Sequence, residues 1–158
     1  MRMSLGENMV VTLFGESHGP AVGALIEGMP ANTKLDVDQL IADMISRRPG
    51  SGLASKRKET DDVEILSGVN DGKTTGMPIL LLIKNRDVKS KDYSFLPYQP
   101  RPGHVDHPIS VKTGGAADLR GGGSFSARLT AGLVAAASIS RNILPCLLYT
   151  SPSPRDSS

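Results

Sequence analysis

Apolar positions along the chain come in short blocks separated by glycine, proline and charge. Val10, Val11, Leu13 and Phe14 form one block, and Ala21, Val22, Ala24, Leu25 and Ile26 form another. Both have the length and composition of strands, and the corner between them reads Gly15-Glu16-Ser17-His18-Gly19-Pro20. A helical period follows. Asp36 is placed as an N-cap with Gln39 three residues on, and Leu40, Ile41, Met44 and Ile45 then share one face. That helix should end near Arg47, ahead of Pro49-Gly50. Residues 50–62 are polar and contain glycine, which predicts a surface loop. Apolar runs at 63–66 and 77–83, joined through Asn70-Asp71-Gly72, predict a hairpin whose loop exceeds the tight two-residue kind. Residues 84–100, dominated by charge and proline, read as connection rather than core. A final helix is expected from Ser126-Ala127-Arg128 to about Leu144. Its Ala, Val, Leu and Ile content, with few polar residues before Ser140-Arg141-Asn142, predicts burial on most sides.

At 158 residues the chain is sized for one domain with a real core. The net charge of +2, with no block of like charges, gives no footprint for nucleic acid, so attraction to anions must be local. The single cysteine, Cys146, excludes an internal disulfide framework and a cysteine-based zinc site, and no metal is expected. The first residues show no signal-peptide pattern, and no apolar run reaches the length of a membrane span. A cytoplasmic protein without a membrane partner is the reading that follows.

Three stretches carry candidate chemistry. An imidazole at His18, held on a glycine-bearing corner, can move a proton near neutral pH. Arg101-Pro102-Gly103-His104 offers a second histidine on a turn of the same kind. The triplet Gly121-Gly122-Gly123 opens toward a helix start, where unpaired N–H groups and the positive dipole end favour anions. Arg128, just inside, adds a forked donor suited to phosphate or carboxylate. There is no P-loop lysine, and the spacing does not fit a dinucleotide fingerprint. Arg47 and Arg48 are open to two readings, dipole capping at a helix C-terminus or anion binding.

Together these stretches resemble the chorismate synthase family. The resemblance is carried by Gly15-Glu16-Ser17-His18-Gly19 through Val22-Gly23, Leu25-Ile26-Glu27-Gly28 and Pro30, and by Gly123, Ser126-Ala127-Arg128, Thr130, Val134 and Ala137-Ser138-Ile139. Between them, in family order, stand Arg47-Arg48-Pro49-Gly50, Val63-Glu64-Ile65-Leu66-Ser67-Gly68, Gly72-Lys73-Thr74-Thr75-Gly76 and Arg101-Pro102-Gly103-His104. It covers about residues 8–144. The fold it implies is α+β, a β-α-β sandwich of the chorismate synthase type, incomplete at the C-terminus.

The resemblance further implies conversion of 5-enolpyruvylshikimate 3-phosphate to chorismate and phosphate, with reduced FMN required, NADPH a candidate reductant, and a homotetramer for the full-length parent. On this reading His18 is the acid near the departing phosphate, and His104 protonates or steadies the reduced flavin. Ser17, Arg47, Arg48, Arg101 and Arg128 bind substrate or line its pocket, and Ser124, Phe125 and Ser126 contact FMN. His107 is read as a surface residue or one behind the site. The sequence departs from the family at Leu53, often arginine, and at Ser124, often arginine or histidine. Residues 1–145 are taken as the N-terminal part of a chorismate synthase domain. Residues 146–158 are taken as a non-native or disordered tail that resembles an in-frame translated sequencing adapter rather than the family, and a chain of this extent is expected to be inactive alone. The rival class is a non-catalytic anion-binding module that keeps the arginines without flavin chemistry.

Overall fold

The computed structural model describes residues 2–47, 60–86 and 90–144. Arg48, Leu53 and the tail from residue 146 lie outside the described residues. Ser4–Leu5 (β1), Val10–Gly15 (β2) and Ala21–Glu27 (β3) run antiparallel, with Val11 opposite Ile26 and Leu13 opposite Ala24. Val63–Ile65 (β4) and Ile79–Lys84 (β7) form the expected hairpin. The segment joining them contains a smaller one, Val69–Asn70 (β5) and Lys73–Thr74 (β6). The residues between β5 and β6, Asp71 and Gly72, have φ of 49° and 69°. Positive φ at both central positions is the signature of a tight two-residue hairpin turn, so the long loop encloses a short hairpin.

β7 pairs with β3 as well as β4, giving one five-stranded sheet in the order β1-β2-β3-β7-β4. Its register sets Val22 against Ile83, Ala24 against Leu81 and Ile26 against Ile79. All six are fully buried, because side chains alternate along a strand and this set shares the core face. Truncating Ile26 or Ile79 to alanine would cost about 2–5 kcal/mol.

Two longer helices and one short one complete the α+β architecture. Val37–Ser46 (α1) starts as expected, with Gln39 N donating to Asp36 Oδ1 at 2.9 Å. Only Leu40 and Met44 of its apolar residues enter the core, however, while Ile41 and Ile45 are half exposed. Asp106–Lys112 (α2) was not anticipated from the sequence. Pro108 conceals it, yet proline is tolerated there because the first-turn N–H groups have no helical acceptors. Thr130–Arg141 (α3) is preceded by a separate 3-10 turn, Ala127–Leu129. α3 lies against β2, β3 and β7, and α1 packs on α3. Its buried side is mostly small residues with Ile139 added, and Thr130, Leu133 and Ala137 are exposed, so burial is one-sided rather than nearly complete. Helix and sheet meet at Gly132, where a Cβ would fall 2.5 Å from Gly23 O. Only glycine allows that approach.

Candidate functional site

The corner after β2 folds back at Gly15 (φ 99°) and is closed by Gly19 N donating to Glu16 O at 3.1 Å. Ser17 is buried, and its N–H donates to Gly123 O at 3.1 Å. The first candidate stretch is thereby bonded directly to the third, although more than a hundred residues separate them. Residues 121–123 have φ of 57°, 87° and 55°, so the triplet turns sharply through positive-φ backbone. A Cβ on Gly121 would lie 2.6 Å from His18 Nδ1 and 2.8 Å from Ser17 Oγ. The glycine is what lets the imidazole lie on the turn. The other side of the ring meets Tyr93 edge to face, with centroids 4.8 Å apart. Tyr93 ends a 3-10 turn, Ser90–Tyr93, within the stretch expected to be mere connection.

Arg128 is buried just beyond the glycine turn, its backbone N–H donating to Ser126 Oγ at 3.3 Å. The guanidinium donates through Nε to Asn85 Oδ1 at 3.0 Å, through Nη2 to Lys84 O at 3.4 Å and through Nη1 to Asp61 Oδ1. Arg47 Nη1 donates to the other oxygen of Asp61, and its Nη2 reaches Thr130 Oγ1 at 3.3 Å. Two outcomes follow. Arg47 follows the last turn of α1, but its side chain turns to Asp61 rather than serving only as a dipole cap. Asp61 is no surface-loop residue: it is 4% exposed, at φ 52°, clasped between two guanidinium groups. A buried carboxylate needs such partners. Among the described residues, two guanidiniums share this one carboxylate.

Arg101 belongs to the same neighbourhood through Tyr93, over whose ring its guanidinium sits at 5.4 Å. It also grips Asp106 with a two-pronged pair of 2.8 Å bonds from Nε and Nη2. Asp106 is fully buried. The hydrogen bonds from Arg101 hold its carboxyl below the usual carboxylate range, outweighing burial, and the same pairing raises Arg101. Much of Arg101's donor capacity is therefore committed within the turn. Asp118 is likewise held low, first by its bonds to Arg120 and, more weakly, by the charge of His18. His104 is exposed at the end of the Arg101 turn, its N–H donating to Arg101 O at 3.2 Å. His107 is exposed on α2, as expected of a surface residue.

Ser124 and Phe125 border a cavity of about 130 Å³ with Glu16, Val105, Ile109 and Leu119. Phe125 is 43% exposed. Ligand pockets run to about 300 Å³ or more. At less than half that volume, and with Phe125 open to one side, the cleft is a partial wall rather than an enclosed pocket. Sequence reasoning missed Asp61, Asn85, Tyr93, Asp106 and Asp118. The one usable signal was Asp106, five residues beyond Arg101 and able to meet it across a tight turn.

Residues 9–149 match the family described as chorismate synthase. The chain is 52% identical over 143 residues to the chorismate synthase of Aeropyrum pernix, covering 90% of this chain and 38% of that protein. It is 46% identical over 139 residues to that of Thermococcus kodakarensis (88% and 39%), and 51% over 142 residues to that of Albidiferax ferrireducens (89% and 39%). A crystal structure of chorismate synthase superposes with a TM-score of 0.61 at 31% identity, over 86% of this chain and 33% of that one. The chain thus spans well under half the length of the relatives it matches. From the motifs, their convergence on the His18 corner and these matches, it follows that the chain belongs to the chorismate synthase family.

Proposed function

We propose that the full-length protein carrying this chain is a carbon–oxygen lyase that converts 5-enolpyruvylshikimate 3-phosphate to chorismate and phosphate. The observation that supports it best is the convergence of Ser17-His18, the glycine turn and Arg128 into one bonded unit. Phosphate leaves with the C–O bonding pair, a ring C–H is lost from the opposite face, and a C=C bond forms. Charge accumulating on the departing oxygens calls for cations and a proton. His18 supplies the proton from the Ser17 corner. Arg47 and Arg128 supply the cationic wall, with Arg48 as a further anchor and Arg101 at its edge beyond Tyr93. The substrate carries a phosphate and two carboxylates, which accounts for several arginines.

Ser124 and Phe125 would hold reduced FMN along the cleft beside Glu16, with Ser126 next in the chain, and His104 would hold a proton at the flavin. When bound, the reduced flavin supplies electron density to the ring from which phosphate departs, with no net redox change. NADPH is the reductant if the protein reduces its own flavin. The parent is read as a cytoplasmic homotetramer; among the described residues no helix is long and apolar enough to cross a membrane. The 158-residue chain alone is read as inactive. Binding tests the proposal: reduced FMN and 5-enolpyruvylshikimate 3-phosphate should each tighten the other's binding to the full-length protein. An anion-binding module would bind the phosphate ester equally well with or without flavin.

A further inference from the structure

Asn85 follows the last residue of β7 and lies outside every motif that carries the family resemblance. Both polar atoms of its side chain are engaged. Nδ2 donates to Glu16 O at 3.0 Å and to Gly19 O at 2.8 Å, the two carbonyls that flank Ser17 and His18. Oδ1 accepts from Arg128 Nε at 3.0 Å. The backbone N–H of Asn85 donates to Pro20 O at 3.0 Å, extending the β3–β7 ladder past the Ala21–Lys84 pair. One carboxamide therefore closes the turn that presents His18 and, at its other end, fixes one edge of a guanidinium. The chemistry is specific. Aspartate would keep the acceptor for Arg128 but face two carbonyl oxygens with no donor, alanine would supply neither, and glutamine is a methylene too long.

We propose that Asn85 is a positioning residue that sets the His18 turn and Arg128 in one register. The proton donor and the cation meeting the departing anion are then held at a fixed separation. This rests on the proposed roles of His18 and Arg128, and displacement of a positioned group by about 1 Å can cost 10²-fold in rate.

The test uses the full-length protein with Asn85→Asp and Asn85→Ala, each alone and combined with His18→Ala. Asn85→Asp should lower kcat by about 10²-fold with a much smaller change in KM. It should cost little more in the His18→Ala background, because its effect runs through His18. An equal loss in both backgrounds overturns the proposal. A second readout needs no activity: the His18 ring resonance and its titration, followed by NMR. Arg128→Lys should shift that resonance when Asn85 is present and leave it nearly unmoved in the Asn85→Ala chain. A shift of the same size in both overturns the clamp. Asn85→Asp, which keeps the bond to Arg128, gives the same decision if Asn85→Ala does not fold. Should His18→Ala prove fully active, the reading of the reaction falls, while the NMR result still decides whether Asn85 ties the two groups together.

Discussion

The ring of His18 rests on Gly121, so near that a Cβ there would come within 2.5 Å of Cε1. Gly121 also has a φ of 57°, where a side chain adds strain of its own. Gly121→Ala should therefore move the imidazole and lower the proposed turnover of the full-length protein by about 10²-fold. Substrate affinity should change less, because a Cβ at Gly121 would press on His18 and Ser17 and not on the guanidinium of Arg128. Steady-state kinetics on that variant check this; an unaltered kcat would mean that the seat of His18 is not set by the glycine turn.

Asp61 neutralises part of the charge that a phosphate would meet at Arg47 and Arg128. Asp61→Asn should strengthen binding of inorganic phosphate by up to about fivefold, a little under 1 kcal/mol, the repulsion of two charges about 4 Å apart at the dielectric of water. It should also lower the stability of the fold, because two guanidiniums lose their shared buried partner. Calorimetric titration with phosphate and a urea melt measure the two effects, which should run in opposite directions.

Asp106 gives the fold a defined acid limb. Its carboxyl is held below its unfolded value by Arg101, so this contribution is complete above about pH 4. It is lost as pH falls through the lower folded value. Asp106→Asn should cost about 1.5–3 kcal/mol at pH 7. The gap between variant and wild type should narrow below about pH 4, where the unfolded wild-type chain takes up a proton on this carboxyl while the folded one still resists it. Urea midpoints at pH 7 and pH 3 provide the check.

How much could be read from the sequence follows the range of the signal. The strands at Val10–Gly15 and Ala21–Glu27 and the Asp36 cap were legible because alternation and capping are local. His18, Arg128 and the glycine triplet stood out for the same reason, each sitting in a compact motif. What was illegible was pairing across the fold. Asp61 lies in a polar run that reads as surface until Arg47 and Arg128 close on it from two other elements. Asn85 and Tyr93 sit in a segment of charges and prolines whose role appears only when β7 delivers them to the His18 corner. Ile41 and Ile45 share a face with Leu40 and Met44 yet stay half exposed, because helical spacing marks an apolar face without saying whether a partner covers it.

The two histidines should separate in kind. His18→Ala in the full-length protein should slow turnover by roughly 10²–10⁴-fold, the range for a positioned acid. His104→Ala should slow it comparably, with a changed absorbance of the bound reduced flavin that His18→Ala does not produce. Near-normal turnover in both variants between about pH 6 and 9 would remove them from the chemistry.

The most direct measurement mixes the full-length protein with 5-enolpyruvylshikimate 3-phosphate and reduced FMN without oxygen, and follows chorismate and phosphate together. The account predicts equal amounts of both products, formed only when reduced flavin is present and nearly abolished by His18→Ala. Phosphate ester bound but unconverted, with an affinity indifferent to flavin, would contradict it.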